Sequence, residues 1–193
     1  MITTTGELQS CREVVHEARS NLLSEGIDTP QVPLGVMIEV PATLAIARHL
    51  ARDADFFALG TNDLIQYMLA ADRGNAMVHQ YYDPLHPAMT QAIDAMVTVA
   101  AETGRGLCIC GEMASDPACF ALLVGLGLRE FSVSAPSILP LKAMLAQLDQ
   151  TDLVELARRA MQNGDGATTR QMIDETLRSI DSPAIDSSQP ADK

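Results

Sequence analysis

Four apolar runs in this chain each end on residues that can do chemistry. Glu39 follows Leu34 to Ile38 (LGVMI), and Gly60-Thr61-Asn62-Asp63 follows Phe56 to Leu59 (FFAL). Cys110-Gly111-Glu112 ends the run Gly106 to Cys110 (GLCIC), and Ser132 and Ser134 fall at the end of Arg129 to Val133 (REFSV). Short apolar runs of this kind read as buried strands. In parallel α/β folds the carboxyl ends of the strands carry the site, because loops and helix N-termini converge there. Glu39 and Asp63 stand at equivalent points of neighbouring strands. Two carboxylates so placed can share a hard cation such as Mg²⁺; alternatively, Glu39 pairs with a base and Asp63 caps a helix. Asn62 either donates to an anion near a helix N-terminus or is the N-cap. Arg73, in the loop DRGN, suits bidentate phosphate binding or a surface ion pair. Cys110, with Cys108 on the same face of the strand, is either a small buried residue or a proton donor at the catalytic edge. His16, His49, His79 and His86 are scattered, and the methionines read as core filler.

The elements that must position these residues alternate. The spacing of Leu8, Cys11, Val14, Val15, Ala18 and Leu22 predicts a helix from about Glu7 to Glu25, followed by a loop over Asp28 to Pro33. Pro41 opens a helix to about Arg52. Another helix, capped by Thr61 or Asn62, runs to about Ala70. After a polar loop from Asp72 to Pro87, helices are expected over Met89 to Glu102 and Pro117 to Leu126. Three more follow, over Pro136 to Leu148, Asp152 to Met161 and Thr168 to Ile180. Residues 1–180 read as one domain, and the polar, Pro/Ser-rich segment 181–193 reads as a disordered tail. Four strand–helix units in a row imply a parallel sheet covered by helices. They amount to half of a (β/α)₈ barrel, with an open doubly wound sheet as the competitor. No G-x-G-x-x-G follows a strand to support dinucleotide binding.

Composition excludes some functions. With 13 basic and 25 acidic residues the formal charge is −12, which argues against nucleic acid as the main partner. No run reaches the roughly 18 apolar residues of a membrane helix, and the N-terminus lacks a signal-peptide pattern. The spacing of Cys11, Cys108, Cys110 and Cys119 fits neither a disulfide framework nor a zinc site, so free thiols in the cytoplasm are expected.

Taken together, GVMIEVPA, FFALGTNDLIQYMLAADRGN and CICGEMASDP resemble, in order and spacing, the phosphoenolpyruvate-binding barrel of the Enzyme I family of phosphoenolpyruvate–protein phosphotransferases. The likeness covers about Met1 to Leu148. It implies the C-terminal half of a TIM-type (β/α)₈ barrel, about four β/α units plus C-terminal helices. It also implies phosphoenolpyruvate and Mg²⁺ bound at the barrel mouth, with Glu39 and Asp63 as metal ligands. Asn62, the backbone at Asp63, and Arg73 would contact the phosphate. Cys110 would be the acid that protonates enolpyruvate to pyruvate. In that family a histidine on a separate domain takes the phosphoryl group and passes it to a phosphocarrier protein of sugar transport, and the barrel domain forms a homodimer. Neither that histidine nor the first barrel half has a match here, so the isolated chain is expected not to complete the reaction. Two alternatives are a relative of pyruvate phosphate dikinase or phosphoenolpyruvate synthase, and a non-catalytic dimerisation or regulatory module.

Overall fold

Side-chain caps and prolines set most helix starts. In the computed structural model, which describes residues 1–181, α1 spans Thr5–Ser24 and opens with a capping box between Thr4 and Glu7. That reciprocal pair satisfies two backbone donors that no helical carbonyl reaches. Of the stripe that predicts this helix, only Leu8 is buried; Val14, Val15 and Leu22 keep 65%, 41% and 37% exposure. Val15, Ala18 and Leu22 instead line a cleft of about 710 Å³ between α1 and residues 29–34.

Next come β1 (Val36–Ile38), α2 (Pro41–Ala45), α3 (Ala47–Leu50), β2 (Phe56–Gly60) and α4 (Thr61–Leu69). The single helix expected from Pro41 to Arg52 is broken. Ile46 leaves the helical region at φ −111°, ψ 13°, and α3 starts afresh from it with Ala47 and Leu50 buried. A short 3₁₀ turn, His79–Tyr81, interrupts the long loop before α5 (Pro87–Thr103), where His86 Nδ1 accepts from the Ala88 N–H. Strand β3 (Gly106–Cys110) leads through a second 3₁₀ turn, Glu112–Ser115, into α6 (Pro117–Gly125), capped by Asp116. Strand β4 is only Glu130–Phe131, shorter than the expected REFSV, although the Ser132 N–H still bonds the Ile109 carbonyl at 2.8 Å. It is an edge strand with a ladder on one side alone, so little holds it extended beyond that contact. The chain ends in α7 (Ala135–Leu145), α8 (Gln150–Ala160) and α9 (Gly166–Asp181). Asp181 is therefore helical, and the rest of the segment expected to be a disordered tail lies outside the described residues.

All four strands are parallel and lie in sequence order, β1-β2-β3-β4. The register aligns Val36 with Phe57 and Leu107, and Ile38 with Leu59, Ile109 and Phe131. Ile38, Phe57, Leu59 and Ile109 have no exposed surface. The other face carries Met37, Ala58 and Cys108 in one row, none of them fully buried. Right-handed crossovers between successive neighbours place the connecting helices on one side. Here they cover the Ile38–Leu59–Ile109 side. No described helix is long and apolar enough to cross a membrane.

Candidate phosphate and metal site

The strand ends are stitched together across the β2–β3 boundary. Gly60 pairs with Cys110 in register. The Thr61 hydroxyl donates to the Cys110 carbonyl at 2.8 Å, and Asn62 Oδ1 accepts from the Glu112 N–H at 3.0 Å. Neither side chain caps α4, whose N-cap is Gly60 with no side-chain bond. The capping role expected of Thr61 or Asn62 is thus replaced by a cross-strand one: both side chains reach the next loop before they reach their own helix. With Oδ1 engaged, the Asn62 amide group remains as a donor. Gly111 makes this approach possible. Its φ is +102°, and a Cβ there would overlap Thr61 Oγ1 and sit 2.9 Å from Asn62 Oδ1.

Glu39 belongs to the same rim. A Cβ on Gly60 would lie 3.1 Å from Glu39 Cβ and 2.9 Å from Met37 Sδ, so the two strand ends approach closely at that glycine. The Glu39 side chain is 15% exposed, and its one cationic neighbour among the described residues is the Met1 ammonium, at 4.0 Å. Cys110 is half-buried and its Sγ lies 3.4 Å from the Leu59 carbonyl. Burial, then the neighbouring Cys108 and Glu39, raises its pKa above the ordinary thiol value. The thiol therefore keeps its proton at neutral pH, as a proton donor must. All four cysteines are free.

Asp63 lies in the first turn of α4, where the helix dipole favours a carboxylate. Arg73 is exposed in the following loop, its N–H held by Gln66 Oε1 at 3.3 Å, and it enters none of the ion pairs among the described residues. The surface ion pair open to it on sequence grounds does not form among the described residues.

One residue that sequence reasoning overlooked joins these groups. Tyr82, in the long loop, donates its hydroxyl to the Asn62 carbonyl at 3.1 Å. Its ring lies parallel to that of His79, with centroids 6.4 Å apart. Burial first, then Glu112 and Asp63, push the phenol's pKa up, while Arg73 pulls it down. The signal in the sequence is faint: a tyrosine pair inside a polar loop.

Among the described residues no three His, Cys, Asp or Glu side chains cluster to hold a metal. Glu39 follows β1 and Asp63 lies in the first turn of α4; their carboxylate oxygens are the kind of donor that Mg²⁺ takes one or two at a time, completing its shell with water and ligand oxygens.

Fold and rim together define a parallel α/β protein whose polar groups gather at the carboxyl end of its sheet. The chain belongs to the family of PEP-utilising enzymes, matching their PEP-binding domain over residues 1–150. It is 39% identical over 175 residues to the phosphoenolpyruvate-protein phosphotransferase of Staphylococcus carnosus (strain TM300), which covers 90% of this chain and 30% of that protein. The counterparts from Staphylococcus aureus and Listeria monocytogenes serovar 1/2a (strain ATCC BAA-679 / EGD-e) are 40% and 37% identical, again over 90% of this chain. The chain thus spans about 30% of the length of these curated relatives.

Proposed function

We propose that this chain is the phosphoenolpyruvate-binding part of a phosphoenolpyruvate–protein phosphotransferase. Glu39 and Asp63 would hold Mg²⁺, and Asn62 and Arg73 would hold the phosphate. Cys110 would protonate enolpyruvate as pyruvate forms. A histidine from elsewhere in a longer protein would take the phosphoryl group and hand it to a phosphocarrier protein in the cytoplasm. The observation that carries this reading is the stitching of Thr61 to the Cys110 carbonyl and of Asn62 to the Glu112 N–H, with Glu39 against Gly60. It draws the motif residues toward one rim.

The chemistry is consistent with that arrangement. Phosphoryl transfer depends on positioning and on offsetting charge that is spread over the phosphate oxygens. When bound, Mg²⁺ supplies that charge compensation. The Asn62 amide donor and the Arg73 guanidinium, which enters no ion pair among the described residues, would supply directed donors. A protonated thiol gives a proton to carbon without competing for a cation that prefers oxygen.

The sequential strand order and the uncovered Met37–Ala58–Cys108 face support a half-barrel rather than a doubly wound sheet, which carries helices on both faces. Residues 1–180 would then be part of a (β/α)₈ domain. The exposed α1 stripe supports association with the remaining barrel half or with a second copy. That the relatives are phosphoenolpyruvate-protein phosphotransferases favours this reading over a dikinase or synthase.

Calorimetry with phosphoenolpyruvate tests it. We expect binding only with Mg²⁺ present, in the roughly micromolar to millimolar range usual for metabolic substrates, and its loss in Asp63→Ala. Tight binding without Mg²⁺, or undiminished binding in Asp63→Ala, would remove the metal from the site. No binding by the wild-type chain at millimolar ligand would leave a structural module.

A further inference from the structure

Residues 82 and 83 are tied in opposite directions. The Tyr82 hydroxyl bonds the Asn62 carbonyl at 3.1 Å. The Asp83 carboxylate accepts from the Leu85 N–H at 2.9 Å and lies directly against Gly166, the first residue of α9; a Cβ at that glycine would overlap the carboxylate. A carboxylate at a helix N-terminus is electrostatically favourable, so the contact is attractive as well as close. Helix α9 is itself anchored to the body of the fold, through Arg170 to Asp116 Oδ1 at 2.7 Å. It lies beyond residues 1–150, the segment that matches the PEP-binding domain. A continuous path therefore runs from α9 through Asp83 and Tyr82 to the turn that carries Asn62 and Asp63.

We infer that Tyr82 is a positioning residue for the Asn62–Asp63 turn, held in place through Asp83 by the Gly166 end of α9. The inference rests on the reading of that turn as the phosphate and metal site. Tyr82 acts from behind: its hydroxyl fixes the backbone carbonyl of Asn62, while the side chain of Asn62 stays bonded to Glu112. Without the phenol, the turn loses the one side-chain bond that ties it to the 72–87 loop among the described residues.

Two backbone amides bonded to the side chains at the two links report on them, whether or not ligand is present. The Glu112 N–H donates to Asn62 Oδ1, and the Leu85 N–H donates to Asp83 Oδ1. Hydrogen exchange of the full chain by NMR is the experiment. Tyr82→Phe should speed exchange at Glu112 about fivefold, the factor that one hydrogen bond is worth. Gly166→Ala should speed both Leu85 and Glu112. Should that variant fail to fold, Asp83→Ala cuts the same link without adding an atom to α9. Exchange at Leu59 and Ile109, in the middle of the sheet, should stay within about twofold of wild type. Unchanged exchange at Glu112 in Tyr82→Phe and in the α9-side variant overturns the inference. So does equal acceleration at Leu59 and Ile109, which marks a general loss of stability. Mg²⁺-dependent phosphoenolpyruvate affinity of Tyr82→Phe should fall by a similar factor. If the wild-type chain binds no phosphoenolpyruvate, the site reading fails while the exchange result still decides the positioning role.

Discussion

Ile38, Phe57, Leu59 and Ile109 are fully enclosed on one side of the sheet, while on the other Met37 and Phe56 keep 41% and 37% exposure. The same backbone thus presents a finished core and an open surface one residue apart, because side chains alternate along a strand. The polar residues are divided in the same way. Glu39, Gly60 and Cys110 belong, by register and alternation, to the open side at its carboxyl end. Helices that pack on one face of a sequentially ordered sheet leave the other face to be lined by whatever completes the fold. A site at the rim of that face is therefore half supported by packing and half by cross-strand bonds such as Asn62 to Glu112.

Stability measurements can break the comparison. Phe57→Ala should cost about 3–5 kcal/mol, as deletion of a buried aromatic side chain does. Met37→Ala should cost only about 0.5 kcal/mol, as an exposed substitution does. Urea unfolding of both variants checks this. Equal costs would mean that the open face is covered in solution, and repeating the measurement over a range of protein concentrations would show whether a second copy covers it.

A smaller effect sharpens the picture at the rim. Gly111→Ala places a Cβ at φ +102° against Thr61 and Asn62. A loss of about 1–3 kcal/mol is expected, together with weaker Mg²⁺-dependent ligand binding. If unfolding and binding both match wild type, the close approach at Gly111 does not hold the strand ends.

A smaller effect again is expected at the bond between Arg170 and Asp116. Burial pushes the Asp116 carboxyl up, but the Cys119 N–H and Arg170 outweigh it, and its pKa falls below the ordinary 3.8. A lowered folded-state pKa stabilises the fold above the ordinary value, and that stability is lost as pH falls through the folded one. Both side chains are more than one-third exposed, so after solvent screening Arg170→Met should cost about 0.5–1 kcal/mol near neutral pH. The difference from wild type should shrink as pH falls below the ordinary carboxylate value and vanish once Asp116 is protonated in the folded state as well. If it persists at that point, Arg170 acts through the packing of its stem, not its charge.

Much of this was legible in the chain itself. Apolar runs ending on Glu39, Asn62-Asp63 and Cys110 located three strands and their functional edge, because a strand buried by helices must be apolar along its length. Pro41 and Pro117 announced helix starts, because proline fixes φ for a first turn; the side-chain caps at Asp116 and Asp149, and the start of α5 at Pro87, emerged only in the structure. Local rules failed where a longer-range partner competed. Thr61 and Asn62 look like caps and instead bond across to β3. Ile46 breaks a helix that its neighbours favour. Tyr82, twenty residues after Asn62, reaches it only once the loop is folded back.

By itself, then, the order of residue types determined the element sequence, the parallel α/β class and which side chains belong at the strand ends, since periodicity, capping and turn chemistry act over a few residues. Only the tertiary structure decided which sheet face stays open, what Asn62 bonds, and that α9 bears on the 72–87 loop through Asp83. Those outcomes depend on pairings between segments far apart in sequence, whose geometry exists only after the chain has closed on itself.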